Sequence, residues 1–288
     1  MTILLTGASG EIGKVLLRYI NNKNIKCYAN YRKTISNINL QNKKIIYYKK
    51  NILDNDFIIP KDVDTICHLA AILPKKYSKK IYEFNIDINK SLIKKINKSK
   101  NLRKIIFFST VKLYSEFNSG EISEKKFLLT KDTYGKSKFY SEILFLKLKK
   151  VKVYNLRLPG ILITNKSHNF LSKLIDDIYK NKKINLFNPK NYFNNAIYID
   201  NLCDFIYNLI INDYKSGTIL IGSIKPLKLE KIVKMIKNKF KSKSIINWNI
   251  IENKGFHLDI NKSIKKYHFK ALSITRTINK YISNVYNL

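Results

Sequence analysis

The first thirteen residues, Met1-Thr2-Ile3-Leu4-Leu5-Thr6-Gly7-Ala8-Ser9-Gly10-Glu11-Ile12-Gly13, constrain this chain more than any other stretch. A short apolar strand runs straight into a glycine loop, and the loop opens a helix. Glycines at 7, 10 and 13 suit a tight turn, a close backbone approach to a pyrophosphate, and close packing of helix on strand. The start of such a helix offers free N–H groups and the positive end of its dipole. In this strand–turn–helix context the loop predicts dinucleotide binding through Gly7, Ser9, Gly10, Glu11, Ile12 and Gly13. An ordinary glycine-rich βα turn is the alternative.

Beyond the loop, β-rich runs alternate with helical patterns. Strands are expected at 3–6, 25–31, 44–48, 63–71, 104–109 and 151–158, with helices at 12–21, 84–99 and 134–149. Strands that are apolar throughout belong to a parallel sheet covered on both faces. Shorter strands follow at 197–199 and 218–221. Apolar residues at helical spacing mark helices around Leu202–Leu209 and Leu229–Phe240. The expected fold is α/β: a Rossmann-like doubly wound parallel sheet with a smaller α/β substrate-binding C-terminal domain. Residues 1–160 plus about 196–215 form the dinucleotide domain, and about 161–195 and 216–288 the substrate domain. The chain's 288 residues, 45% hydrophobic, suffice for such a core. No window reaches ~18 apolar residues, so no membrane span is expected. The start shows no signal-peptide pattern, and Cys27, Cys67 and Cys203 show no disulfide or metal spacing. A reduced, cytoplasmic setting is the expectation.

A net charge of +35 invites a nucleic-acid reading, and the residue types argue against it. The bases are 50 lysines and five arginines, with the lysines spread over every segment. A nucleic-acid binder would cluster them and use arginine for bidentate contacts. Nucleic acid is therefore not an expected partner. A basic field does favour anionic substrates.

Chemistry enters at three points. The second strand ends Ala29-Asn30-Tyr31-Arg32-Lys33, without the carboxylate that would accept from a ribose 2′-OH; Arg32 could pair with a 2′-phosphate, so NADP(H) is expected over NAD(H). Tyr134 and Lys138 stand four apart at the start of a helix and share a face. A nearby ammonium would lower the tyrosine pKa and make Tyr134 a general acid/base. Thr110 ends the fifth strand, where open α/β sheets bind ligands, and offers a second hydroxyl.

Together these motifs resemble the extended short-chain dehydrogenase/reductases of the NAD-dependent epimerase/dehydratase family over nearly the whole chain. His68-Leu69-Ala70-Ala71 resembles the family's fourth-strand cofactor segment, and Asn85 its asparagine at the next helix. Phe108–Tyr114 resembles its serine/threonine motif, with Thr110 on the catalytic hydroxyl. Tyr134, Lys138 and Glu142 complete a YGxSKxxxE pattern. Leu156–Gly160 resembles the segment whose proline, here Pro159, lies near the nicotinamide. Ala196–Asp200 and Ser216–Ser223 resemble the return strands. The resemblance implies cofactor contacts at Leu69, Ala70, Ala71, Asn85, Tyr134, Lys138 and Pro159. Asn51, where an aspartate near the adenine is common, and Ile52 join them.

The departures inform as well. Family dehydratases carry an Asp-Glu pair after the threonine; Val111 and Lys112 stand there, so dehydration is not expected. The favoured reading is an NAD(P)-dependent reductase of a keto group on a nucleotide-activated sugar, with Tyr134 as acid/base. Its rivals are a nucleotide-sugar 4-epimerase with tightly held NAD and a non-enzymatic nucleotide- or RNA-binding module. Asn194 and Asn195, before a return strand, form a substrate contact or a simple turn. His68 is expected to be a strand residue, and His168, His257 and His268 lack paired ligands, so no metal is expected. The helices at 84–99 and 134–149 could pair two copies as a homodimer.

Overall fold

The computed structural model describes residues 1–33, 40, 42–73, 79–117, 120–126, 130–163, 169–252 and 255–288. The chain divides into two compact units. The first takes Met1–Ser115, Leu129–Arg157 and Cys203–Ile219; the second takes Glu116–Leu128, Leu158–Leu202 and Leu220–Leu288. Eight helices lie among the described residues: α1 Glu11–Asn22, α2 Lys79–Lys98, α3 Thr133–Leu146, α4 Phe170–Tyr179, α5 Ile199–Ile211, α6 Leu229–Phe240, α7 Asn261–Tyr267 and α8 Ile274–Tyr286.

The first unit is built on a seven-stranded sheet. Its strands are β1 Thr2–Thr6, β2 Lys26–Tyr31, β3 Ile45–Lys49, β4 Thr65–His68, β5 Lys104–Thr110, β6 Lys152–Leu158 and β7 Gly217–Leu220. They run in the order β7-β6-β5-β4-β1-β2-β3. β1 pairs in parallel with β2 and β4, β2 with β3, and β4 with β5. The fold is the expected Rossmann-like one. Strand order reverses at β1, and ligands of open α/β sheets bind outside the carboxyl ends at such a reversal.

The strands read as continuous apolar runs because both faces are covered: every residue of β1 is buried, as are Ile105–Ser109 of β5. On one face Ile88, Leu92 and Ile96 of α2 repeat at helical spacing and join Ile105, Phe107, Phe145 and Val153 in one cluster. α1 buries Leu16, Leu17 and Ile20 along a single stripe. The strand expected over 63–71 is shorter, ending at His68. Beyond it the chain is pinned from the side, because Asn85 binds both the N–H and the carbonyl of Ile72 (2.8 and 3.0 Å).

The second unit is pieced from short pairs. Glu121–Ile122 pairs with His257–Leu258, Gly160–Leu162 with Ala196–Tyr198, and Ile184–Phe187 with Ile246–Asn249, all parallel; Tyr192–Phe193 pairs with Leu227–Lys228 antiparallel. α4, α6, α7 and α8 belong to this unit. Three of them, α4, α7 and α8, are absent from the sequence reading above. The signal was present for α4 and α8. Leu171, Leu174, Ile175 and Ile178 share a face behind an Asn169 cap, and Ile274, Ile278, Tyr281 and Ile282 one behind a Ser273 cap.

Candidate active site

At the end of β1 the chain turns through Gly7 with φ +73°. Gly10 donates its N–H to the Gly7 carbonyl (3.0 Å) and caps α1 without any side-chain bond. The first N–H groups of α1 are thus left without a side-chain cap, which is what a phosphate requires. α1 passes so close to the loop that a Cβ on Gly13 would collide with the Gly7 carbonyl oxygen and lie 2.9 Å from Ala8 Cα. Only a residue without a side chain fits there. Gly7, Ser9, Arg32, Asn51, Ile52, Ala70 and Ala71 line one cleft together with Phe84 and Ile88. Leu69 donates its N–H to Thr6 O (3.2 Å), holding the segment after β4 beside the loop. Asn85 acts on that segment through Ile72, and Glu11 and Ile12 form the first turn of α1. An uncapped helix start and a glycine cradle that a methyl would fill fit a dinucleotide.

The hydroxyl-bearing corner lies at the carboxyl end of β5. Thr110 is the last residue of β5 and caps the 3-10 turn Val111–Tyr114, its Oγ1 accepting the Lys112 N–H at 3.1 Å. Tyr134 opens α3, which Asp132 caps by accepting the Gly135 N–H at 2.6 Å. Gly135 explains why these two ends meet: a Cβ there would stand 2.9 Å from Thr130 Cγ2 and 3.3 Å from Leu113 N. Lys138, one turn on, is buried, its Nζ 4.7 Å from the Phe107 ring centroid and 5.7 Å from that of Tyr134.

Electrostatics differ from expectation here. Burial pushes the Tyr134 phenol above its ordinary value, and Asp132 adds to the rise. Burial also lowers the Lys138 ammonium to about 7, opposed by Glu142. The expected depression of Tyr134 by a neighbouring cation is absent, because the cation is itself destabilised by the same burial.

Several links around this corner escaped the sequence reading, although Glu142, Arg157 and His68 themselves were part of it. Glu142, on the next turn, is buried and accepts from Arg157 at Nε (3.1 Å to each oxygen) and Nη2 (2.7 Å), and from the Ser109 hydroxyl. Arg157 also donates to the Tyr114 hydroxyl. A buried ion pair therefore lies against Ser109, the residue before Thr110. His68 bridges Thr6 Oγ1 (2.6 Å) and Asn89 Oδ1 (2.7 Å), and Asn89 donates to Ser141 of α3 (2.6 Å). Burial holds His68 neutral, lowering it to about 3. It is a strand residue, as expected, and it ties β1 to the helix carrying Tyr134. Nothing local in the sequence announces such links, since their partners stand 15 to 62 positions apart.

Pro159, Asn194 and Asn195 belong to the second unit. Asn194 is committed to backbone, donating to Ser223 O and Leu258 O and accepting from Leu258 N (2.8, 2.8 and 2.7 Å). Asn195 differs: its amide nitrogen reaches Phe256 O at 3.4 Å, while its buried Oδ1 has no hydrogen-bond partner. Among the described residues no group of three or more His, Cys, Asp or Glu could hold a metal ion, and no helix is long and apolar enough to cross a membrane. His257 stands 3.6 Å from Glu121 and His268 caps α7; His168 lies outside the described residues.

The model of the NAD dependent epimerase/dehydratase family matches residues 3–222. A comparison with curated proteins found no match. Among solved structures the chain is similar to a UDP-glucuronic acid 4-epimerase from Bacillus cereus in complex with NAD (21% identity, 99% of this chain and 100% of that one, TM-score 0.80). It is similar also to a UDP-N-acetylglucosamine 4-epimerase from Bacillus cereus (19%, 100% and 97%, TM-score 0.78). A third is a dTDP-glucose 4,6-dehydratase from Bacillus anthracis in complex with NAD (16%, 100% and 97%, TM-score 0.80). These findings overturn the expected preference for NADP. The matching family is NAD dependent, and two of these three structures contain NAD. The guanidinium of Arg32, from which that preference was read, lies over the Phe84 ring, 5.5 Å from its centroid.

Proposed function

The chain belongs to the NAD-dependent epimerase/dehydratase family, and from that premise we propose that it interconverts a nucleotide-activated sugar and its C4 epimer with a bound NAD. One observation supports the reading: Gly135, next to Tyr134, packs closely against Leu113 in the turn that Thr110 caps, in the unit that also holds the glycine cradle. Gly7, Ser9, Gly10, Glu11, Ile12 and Gly13 would hold the phosphates, with Asn51, Ile52, Leu69, Ala70 and Ala71 along the cleft and Lys138 at the ribose. NAD when bound supplies the acceptor for a hydride from the sugar carbon and returns it.

The remaining steps fall to side chains. Thr110 already accepts the Lys112 N–H, so its own O–H is left to donate to the sugar oxygen. Tyr134, acting as the phenolate, takes the proton of the reacting hydroxyl and, then a phenol, gives it back, as a general acid/base. Val111 and Lys112 offer no carboxylate to help expel water, so dehydration is not proposed.

Net reduction of a ketosugar is the second reading, favoured by the burial that keeps Tyr134 as a phenol, the form that donates. Incubation with UDP-glucose or UDP-glucuronic acid separates the two. Epimerisation gives the C4 epimer over many turnovers with no net change in NADH absorbance. Net NADH consumption with a ketosugar identifies the reductase, and a protein that neither retains NAD nor converts either sugar overturns both.

A further inference from the structure

Two ammonium groups lie within 6 Å of the Tyr134 ring centroid, and they differ in surroundings. Lys138, at 5.7 Å, is 2% exposed. Lys112, at 5.9 Å, is exposed, and no carboxylate of the described residues pairs with it. The nearby Arg157 is already committed to Glu142 and Tyr114. Lys112 is therefore an exposed cation that this corner presents to an arriving ligand.

Its position is set by the backbone. The bond from Lys112 N to Thr110 Oγ1 caps the turn Val111–Tyr114 and fixes where the lysine leaves the chain, two residues past the hydroxyl proposed to hold the sugar oxygen. A cation resting over an aromatic ring at an exposed site is weakly tethered. An ammonium–carboxylate hydrogen bond is stronger, so an incoming carboxylate displaces the ring. The groups within a lysine's reach are those on carbons next to the one that reacts. Among sugar substituents there, a carboxylate alone gives the ammonium a full opposite charge.

Resting on the reading above that Thr110 and Tyr134 take the oxygen of the reacting carbon, we infer that Lys112 selects a nucleotide uronic acid over the corresponding neutral hexose. Calorimetric titration of the NAD-loaded full chain with UDP-glucuronic acid and with UDP-glucose tests this. The unaltered protein binds the uronic acid more tightly. Lys112→Gln shrinks the ratio of the two dissociation constants by about 10- to 150-fold, the range of a hydrogen bond between charged groups. Lys112→Arg retains most of the preference. An equal ratio in the parent and Lys112→Gln overturns the inference. That holds whether neither sugar is affected or both weaken alike, as they would if Lys112 read the shared diphosphate. A parent that prefers UDP-glucose overturns it too. If the ratio behaves as expected but neither sugar is turned over, the epimerase reading fails and this one stands; if neither sugar binds, both fail.

Discussion

Around Gly7 and Gly13 the first unit removes side chains, whereas around Tyr134 it buries them. The cradle works by steric permission: backbone comes so near backbone that a single methyl at residue 13 meets the Gly7 carbonyl. The corner at Thr110, Tyr134 and Lys138 works by electrostatics, with a phenol held protonated and an ammonium held near its titration point by loss of water. A steric device fails as soon as an atom is added, and it does so at any pH. An electrostatic device responds by degree and follows pH. The two halves can thus be broken separately.

The largest expected effect is on the corner. Tyr134→Phe removes one hydroxyl and keeps the ring, so turnover should fall by about 10²–10⁴-fold, the usual share of general acid/base catalysis. NAD affinity, measured by fluorescence titration, should change little, because the cradle is untouched. A loss of turnover below about tenfold would put the acid/base elsewhere.

Lys138→Met comes next and tests the electrostatic half through stability. Lys138 is held near 7 in the folded chain against ~10.4 when unfolded. Between those values the unfolded chain carries a proton that the folded one lacks, so stability rises with pH across this window. Below about 7 both states are charged, and folding bears the full cost of burying the ammonium. Methionine fits against Phe107 without that cost. In urea denaturation of the NAD-free protein the variant should gain on the order of 4–5 kcal/mol at pH 6, the gain fading toward pH 10. The same gain at both pH values would reduce the effect to packing. A loss at pH 6 would mean that Glu142 fully compensates the buried charge.

The sequence made the two halves legible to different degrees. The glycine cradle was readable in full, because its residues are contiguous and their meaning is local. Thr110, Tyr134 and Lys138 were readable as a resemblance, and the Tyr134–Lys138 spacing as a shared helix face. What could not be read was the sign of the electrostatics. A lysine four residues from a tyrosine suggests an acidified phenol, but the depth of burial decides, and burial is a property of the assembled sheet. Glu142 with Arg157, and His68 with Asn89, stayed hidden for the same reason. Of the second unit's short strands, two to four residues each, Ala196–Tyr198 was anticipated at 197–199, while the others carry too little period for a pattern to register. α4 and α8 were missed despite clear caps and periodicity.

The smallest effect belongs to the cradle. Gly13→Ala adds one methyl facing the Gly7 carbonyl and Ala8 Cα, both backbone atoms that cannot rotate away. α1 must shift from the loop, at an overpacking cost of about 1–3 kcal/mol. Part of that strain falls on the loop proposed to receive the phosphates, so NAD affinity should drop, by at most about 150-fold. Turnover at saturating NAD should stay near that of the parent, since Thr110, Tyr134 and Lys138 are carried by β5 and α3. Unlike the Lys138 variant, this one should lose stability equally at pH 6 and pH 9, because no titrating group is involved. Unchanged affinity would show that the helix start accommodates the methyl and that the cradle is not the steric device its backbone distances imply. A fall in turnover at saturating NAD would tie α1 to the catalytic corner and dissolve the separation between the two halves.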